Sequence, residues 1–360
     1  MESKVLNYYV SGNTAKGFHS FLVNNLIGLE KLFILKGELN TVKSKLMRAQ
    51  GNDWMEKEND VEFLHSPINN ELIEGVINRS KRIALISDSG NMELDLGEFD
   101  FDIEYFDFNQ LVDNDVISSK SIEINTLKES IKVLYENAYS KYYAALKIHD
   151  EWEEIYINNM DKKRADGYTQ EVIEMLLKDH KLDKTGTTKD RFFGAATPLG
   201  PVDYVEQITS NISKRYFIKG RPGTGKSTML KRLVKEAEKR GFDVDVYHCG
   251  FDPNSLDMVL INELDFVIFD STAPHEYFPT KENDEIIDMY QIIIKHGTDE
   301  KYQKQLDQII LRYKLEVDAG TTFLNEVKDK IDELEKIYMN LLDLDELTRL
   351  AEEIFGKLSK

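Results

Sequence analysis

Apolar residues along this chain alternate between two rhythms. Phe266-Val267-Ile268-Phe269 is an unbroken apolar run that ends on Asp270, the pattern of a strand buried on both faces of a parallel sheet. Leu230, Leu233, Val234 and Ala237 instead recur at helical steps until Gly241, which predicts a helix with a glycine stop. Similar runs predict strands near residues 191–195, 215–219, 243–249 and 265–270. Toward the C-terminus, Ile331, Leu334, Tyr338 and Leu341 keep helical spacing with Asp332, Glu333, Glu335 and Lys336 between them, an amphipathic helix with a solvated charged face. Strands alternating with helices predict an α/β fold with a mostly parallel sheet, flanking helices and a helical C-terminal extension. That extension is expected to pack as a structural hairpin on its own sheet or on its twin.

The whole pattern occurs twice. At a constant offset of 183, Thr14 pairs with Thr197, Gly17 with Gly200, Lys36 with Lys219, Gly37 with Gly220, Thr41 with Thr224, Lys43 with Lys226, Ser44 with Ser227 and His65 with His248. At an offset of 182, His149-Asp150-Glu151-Trp152-Glu153 returns as Ile331-Asp332-Glu333-Leu334-Glu335. The chain therefore reads as two tandem modules, 1–182 and 183–360, each the size of one domain. Residues 181–190, with Gly186 and several threonines, are the expected joint. The acidic stretch 91–102 reads as a loop peculiar to the first copy.

The second copy carries a complete phosphate-binding pattern, GxxxxGK[ST], in Gly220-Arg221-Pro222-Gly223-Thr224-Gly225-Lys226-Ser227, followed by Thr228. Glycines let main-chain N–H groups converge on an anion with no Cβ in the way. Lys226 is expected to neutralise the terminal phosphates, Ser227 to meet Mg²⁺, and the next helix to turn its positive end toward the anion. The flanks are in the required order, a predicted strand at 215–219 before the loop and a predicted helix after it. Asp270 would stand beside the loop and reach Mg²⁺, usually through water. The expected site thus comprises residues 220–228, with Ser227 and Asp270 as metal contacts and Lys226 and Asp270 in the chemistry.

The first copy is eroded. Asn40 and Val42 replace Gly223 and Gly225, and Ser87 replaces Asp270, with Asp88 one residue later. A β-branched residue where the loop needs free backbone is expected to close the anion nest. Gly51-Asn52-Asp53 is expected to interrupt the following helix. The first module is read as catalytically dead, with Lys43 and Ser44 leaving open a nucleotide held without turnover.

Composition adds three constraints. A net charge of -19 and a pI near 4.9 argue against a nucleic-acid groove, which needs clustered Lys and Arg. No apolar run reaches membrane-spanning length and no signal-like segment opens the sequence, so the expectation is a cytoplasmic protein without a membrane. One cysteine, Cys249, allows no internal disulfide or cysteine-rich zinc site.

No Asn-Lys-x-Asp element of guanine-specific enzymes occurs, which favours ATP as the nucleotide. Hydrolysis also needs a group that orients water. Ser271 stands where a glutamate often follows the strand-end aspartate, so the candidates are Asp252, His275 and Glu276, against the alternative that these only build turns. Arg79 or Arg82 could serve as a finger if the modules face each other across the nucleotide.

Thr197-Pro198-Leu199-Gly200, the 220–228 loop, His248-Cys249, the Asp270 to His275 segment and the repeated His149-Asp150 element resemble an uncharacterised bacterial family of two-repeat P-loop ATP-binding proteins. The resemblance spans essentially the whole length and implies ATP binding, with members labelled ATPase or nucleotide-kinase-like. In that family the first repeat often keeps its own loop, and this sequence departs from that at Asn40 and Val42. Three functions are open: an ATPase working at the second module with a regulatory or structural first module, a small-molecule or nucleotide kinase, and an ATP-gated module whose helical tails bind a protein partner. A kinase would be expected to close an arginine-bearing lid, yet Arg312 is the only arginine between Gly241 and Asp343.

Overall fold

Each strand of the first copy has a counterpart in the second. The computed structural model describes residues 4–88, 101–273 and 276–359. The first copy runs β1 (Val5–Tyr8), β2 (Ser11–Thr14), β3 (Gly17–Ser20), α1 (Leu22–Asn25), β4 (Lys31–Lys36) and α2 (Asn40–Glu56). It continues with β5 (Val61–His65), β6 (Ile73–Asn78), β7 (Ile83–Asp88) and β8 (Asp102–Asp107), then a tail of α3 (Asn114–Ser119), α4 (Ser121–Ile157) and α5 (Lys162–Leu177). The second copy runs β9 (Thr188–Phe192), β10 (Gly194–Thr197), β11 (Gly200–Asp203), α6 (Val205–Thr209), β12 (Lys214–Lys219) and α7 (Lys226–Lys239). After β13 (Val244–His248), β14 (Leu256–Ile261), β15 (Phe266–Asp270) and β16 (Glu285–Asp288) come α8 (Met289–Ile293), α9 (Thr298–Met339) and α10 (Leu344–Leu358).

The architecture is a duplicated α/β fold with two six-stranded sheets, ordered β1-β5-β6-β7-β4-β8 and β9-β13-β14-β15-β12-β16. Five strands of each sheet run the same way. β6 and β14 alone oppose them, each antiparallel to both neighbours. Neither was anticipated as a strand, although Met258-Val259-Leu260-Ile261 is as apolar a run as the one that predicted β15. The strand expected at 191–195 divides in two: β9 ends at Phe192, and β10 turns back at a tight hairpin. There the Thr197 hydroxyl donates to the Gly200 carbonyl at 2.8 Å, and Thr14 does the same to Gly17 at 2.7 Å. Gly200 and Gly17 hold φ of +90° and +94°, which explains why both copies keep a Thr and a Gly at these places.

Two expectations for the first copy are overturned or displaced. Gly51 does not interrupt the helix after the loop, because α2 runs unbroken from Asn40 to Glu56. A Cβ at Gly51 would lie 2.4 Å from the Phe63 ring and 3.0 Å from Val76, so the glycine lets the helix press onto the sheet. The stretch 91–102 lies almost wholly outside the described residues. The β7–β8 connection is nevertheless no longer than the one joining β15 to β16, so it is not an insertion peculiar to the first copy.

The helical tails are exchanged between the sheets. α4 begins on the first sheet through Ile124 and ends on the second through Ile155 and Tyr156, where α5 adds Val172, Ile173, Leu176 and Leu177 to a core with Leu230, Leu233 and Ile268. α9 does the reverse, and Leu334, Ile337 and Tyr338, with Ile354 and Leu358 of α10, close the first sheet over Phe33, Met47 and Val76. Short β-bridges fix both crossings, Met160 with Ile294 and Val112 with Leu342. The tail therefore packs on its twin, and the boundary at 182/183 is one of sequence similarity and not of separate cores.

Equivalent residues also meet each other, the mark of an internal two-fold. Tyr9 and its counterpart Phe192 form an antiparallel bridge, with the Phe192 N–H donating to Tyr9 O at 2.9 Å. Asn13 donates to the carbonyl of its counterpart Ala196 at 3.2 Å. At this seam Arg191 is 1% exposed, paired with Asp245 at 3.1 Å and with Glu62 of the first copy at 3.5 Å. Burial alone would raise the Glu62 carboxyl, but Arg191 and Arg79 bring it down to about 2. Arg79 is thereby committed to the seam and Arg82 to Glu30, so neither serves as a finger in this arrangement. No helix among the described residues is long and apolar enough to cross a membrane.

Candidate nucleotide site

The loop between β12 and α7 has the backbone that its glycines predict. Gly223 and Gly225 adopt φ of +75° and +79°, left-handed conformations that cost other residues roughly 1–2 kcal/mol each. Gly225 caps α7, so the unbonded N–H groups of that helix's first turn open onto the loop. Thr224 is buried and braces the turn, its hydroxyl donating to the Arg221 carbonyl at 2.8 Å. A Cβ at Gly220 would fall 2.5 Å from that hydroxyl oxygen, so the first glycine is required by contact.

Lys226 lies across the loop. Its ammonium donates to the Arg221 carbonyl at 3.0 Å and stands 3.5 Å from Asp270. Asp270 ends β15 beside β12, as expected, and its Oδ1 accepts the Thr272 N–H at 3.1 Å. The Ser227 hydroxyl accepts the Leu256 N–H at 2.9 Å, a bond that Ser44 repeats with Ile73 at 2.9 Å. That shared bond pins the start of the antiparallel strand and gives the serine a structural use in both copies. Ser227 and Asp270 together make a sparse donor set. These two are the residues that would meet Mg²⁺ alongside substrate phosphates and waters; no group of three or more His, Cys, Asp or Glu side chains placed to hold a metal occurs among the described residues. Arg221 leans away from the loop onto Asp299 at 3.1 Å and over the Tyr290 ring. Pro222 is half-buried and Thr228 exposed.

The predicted water-orienting residues fare differently. Asp252 sits in a turn, accepting the Asn254 N–H at 3.0 Å, and is paired with Lys16 of the first copy at 2.7 Å. It is a turn residue held by an ion pair. His275 lies outside the described residues. Glu276 points to Lys219 at 3.6 Å and is half exposed. Cys249 is half-buried and its thiol is pushed well up by desolvation, which suits packing.

Residues missed from the sequence come from the exchanged tail. α4 runs against the loop so closely that a Cβ on Gly223 would be 2.6 Å from the Glu153 carbonyl oxygen. One turn earlier, His149 lies 3.9 Å from the Glu153 carboxylate, within the field of Lys226 and Asp252, and burial lowers its pKa. The ring is bounded by Trp152 and Tyr313 at 6.2 and 5.9 Å between centroids. The repeated His149 to Glu153 element was the available signal, but its place beside the opposite loop depends on the tail exchange.

In the first copy the same geometry is closed. Without glycines at 40 and 42, the residues that match the second copy's loop from Gly223 onward wind into right-handed helix, and α2 starts at Asn40, the counterpart of Gly223. Lys43 turns inward, donating to Gly37 O at 2.6 Å and Asp88 O at 3.2 Å. Desolvation lowers it to about 8. Glu335, the counterpart of Glu153, lies over the loop and accepts the Thr41 N–H at 2.6 Å. Beyond it a cavity of about 510 Å³ remains over the strand ends, bordered by Glu74, Tyr135 and Tyr139.

No protein-family model, curated protein or solved structure matches the chain.

Proposed function

We propose that the second copy binds ATP with Mg²⁺ at residues 220–228 and hydrolyses it, while the first copy is a degenerate structural and regulatory partner. The observation that carries this reading is the pair of left-handed glycines ahead of α7, with Lys226 between the loop and Asp270 at 3.5 Å. On this reading it is an anion nest with a cation and a carboxylate beside it. The first copy differs at each part: two of its three loop glycines are replaced by Asn40 and Val42, Lys43 is fully buried against two carbonyls, and a carboxylate, that of Glu335, caps its helix.

Transfer to an acceptor other than water is less well supported. Arg312 is committed to Glu151 at 2.6 Å and offers no lid. Titration calorimetry of Mg·ATP into wild type, Lys226→Ala and Lys43→Ala tests the reading. One site lost only in Lys226→Ala is expected. Two sites, or none in the wild type, would refute it.

A further inference from the structure

Among the described residues of the second copy, those considered for activating water are engaged elsewhere. Ser271 follows Asp270, is fully buried, and is committed to Tyr277, donating to its carbonyl at 2.6 Å and accepting its N–H at 3.0 Å. Asp252 is held by Lys16 and its own turn. The helix of the first copy that lies against the loop therefore becomes the source to consider.

From this geometry we infer that Glu153, carried by α4 of the first repeat, is the carboxylate that orients and deprotonates the attacking water at the second repeat's loop. The inference rests on the reading of that loop as an ATP site. Three observations carry it. First, the backbone of Glu153 touches the loop, as the 2.6 Å approach to a Cβ at Gly223 shows. Second, the fold itself demonstrates the reach of this position. Glu335 occupies the matching place on α9, and its carboxylate lies 2.6 Å from the N–H of Thr41, the counterpart of Thr224. A glutamate here can therefore meet the phosphate end of the loop. Third, the Glu153 side chain is 38% exposed and has only a loose 3.9 Å contact with His149, so a rotamer change brings it over the loop without breaking a buried bond.

In the step, the water oxygen bonds to the γ-phosphorus as the bond from that phosphorus to the β,γ-bridging oxygen breaks, and ADP leaves. One water proton passes to the Glu153 carboxylate and then to the released phosphate. The site is then composite: phosphate loop and Asp270 from one repeat, water activation from the other, which gives the tail exchange a functional consequence.

The test pairs calorimetry with phosphate release for wild type, Glu153→Gln, Glu153→Asp and Lys226→Ala, with thermal unfolding as a check on folding. Glu153→Gln is expected to bind Mg·ATP within about 3-fold of wild type while turnover falls about 100-fold or more. Glu153→Asp, which keeps the carboxylate, should fall between the two. Turnover by Glu153→Gln equal to wild type would overturn the inference, as would a wild type that binds Mg·ATP and releases no phosphate. Tighter binding with unchanged turnover would also overturn it and would make Glu153 a competitor for phosphate, as Glu335 is in the first copy. Failure of the parent reading looks different: wild type, or wild type and Lys226→Ala alike, would show no specific Mg·ATP binding, and this inference would fall with it.

Discussion

Glu335 holds Thr41 twice, its Oε1 accepting the backbone N–H at 2.6 Å and its Oε2 accepting the hydroxyl at 3.0 Å. Thr41 lies in the first turn of α2, where N–H groups have no partner within the helix. The carboxylate arrives from the far end of α9, 294 residues away in sequence. A protein anion thus caps the first turn of α2 at the residue matching Thr224, whose own N–H donates instead to the Arg221 carbonyl at 3.2 Å. Burial raises the Glu335 carboxyl while the Thr41 donors oppose that shift.

Glu335→Ala should therefore destabilise the protein without creating a nucleotide site. It leaves a buried helix-end donor unsatisfied, a loss of about 1–3 kcal/mol. Nucleotide stoichiometry should stay at one, because Lys43 still faces Gly37 and Asp88 and α2 still begins at Asn40. Urea unfolding and calorimetry on one preparation check both halves, and a second nucleotide site would show that Glu335 alone blocks the first loop.

Gly223→Ala and Gly225→Ala separate loop strain from tail contact. Both have left-handed φ, so each substitution costs roughly 1–2 kcal/mol in backbone strain. Only at Gly223 does the new Cβ also strike a neighbour, the Glu153 backbone at 2.6 to 2.9 Å. Gly223→Ala should be the more destabilising by at least about 1 kcal/mol. Equal unfolding midpoints would mean that α4 does not press on the loop as described.

Gly51→Ala tests why the sequence misled at α2. Glycine inside a helix suggests a break, since alanine is favoured there by about 1 kcal/mol. Contact outweighs propensity here, because the added methyl would meet Phe63 at 2.4 and 2.7 Å. Gly51→Ala should destabilise by about 1–3 kcal/mol. A more stable variant would restore the propensity reading.

These cases show which parts of the chain were legible. The loop, β12, α7 and β15 follow from local pattern because their residues answer local demands: φ at Gly223 and Gly225, burial at Phe266 to Phe269. β6 was missed because Glu74 and Gly75 break its apolar run, and β14 was passed over although Met258 to Ile261 is wholly apolar; the reversed direction of both is set by the short connections from His65 to Ile73 and from His248 to Leu256. The duplication was readable from residue pairs such as Thr41 with Thr224. The exchange of tails was not, because Leu334 and Tyr338 present the same apolar stripe to either sheet. For that reason His149 and Glu153 could be recognised as a repeated element and still not be placed at the site.

His65 makes stability at the seam sensitive to acid. Its Nε2 lies 2.8 Å from Asn7 Oδ1 and its Nδ1 2.8 Å from the Tyr204 hydroxyl of the other copy. Burial, then the charge of Arg48, lowers its pKa from 6.5 to about 4. In the unfolded chain His65 binds a proton near pH 6.5, whereas in the folded chain it resists until about pH 4. Its contribution is present above pH 6.5 and is lost as pH falls toward 4, on the order of 3 kcal/mol. Stability of wild type should fall more steeply over this window than that of His65→Gln. Parallel curves from denaturant unfolding at several pH values would remove His65 as the cause.

The exchange of tails predicts how the chain behaves when cut at 182/183. The fragment 1–182 keeps β1 to β8 but loses Leu334, Ile337 and Tyr338 of α9 and Ile354 and Leu358 of α10, which cover Phe33, Met47 and Val76. It also carries α5, whose Ile173 and Leu177 have lost the second sheet. Five large side chains moved from core to water, at about 1.5–3 kcal/mol each, amount to about 8–15 kcal/mol, as much as the whole stability of an ordinary domain. Either half alone should be aggregated or poorly folded, by size-exclusion chromatography and near-ultraviolet circular dichroism. The two halves produced together should associate and recover the Lys226-dependent nucleotide site, because each supplies the tail that the other sheet lacks. A fragment 1–182 that folds cooperatively by itself would show that its tail can return to its own sheet, and the composite site would then lose its structural basis.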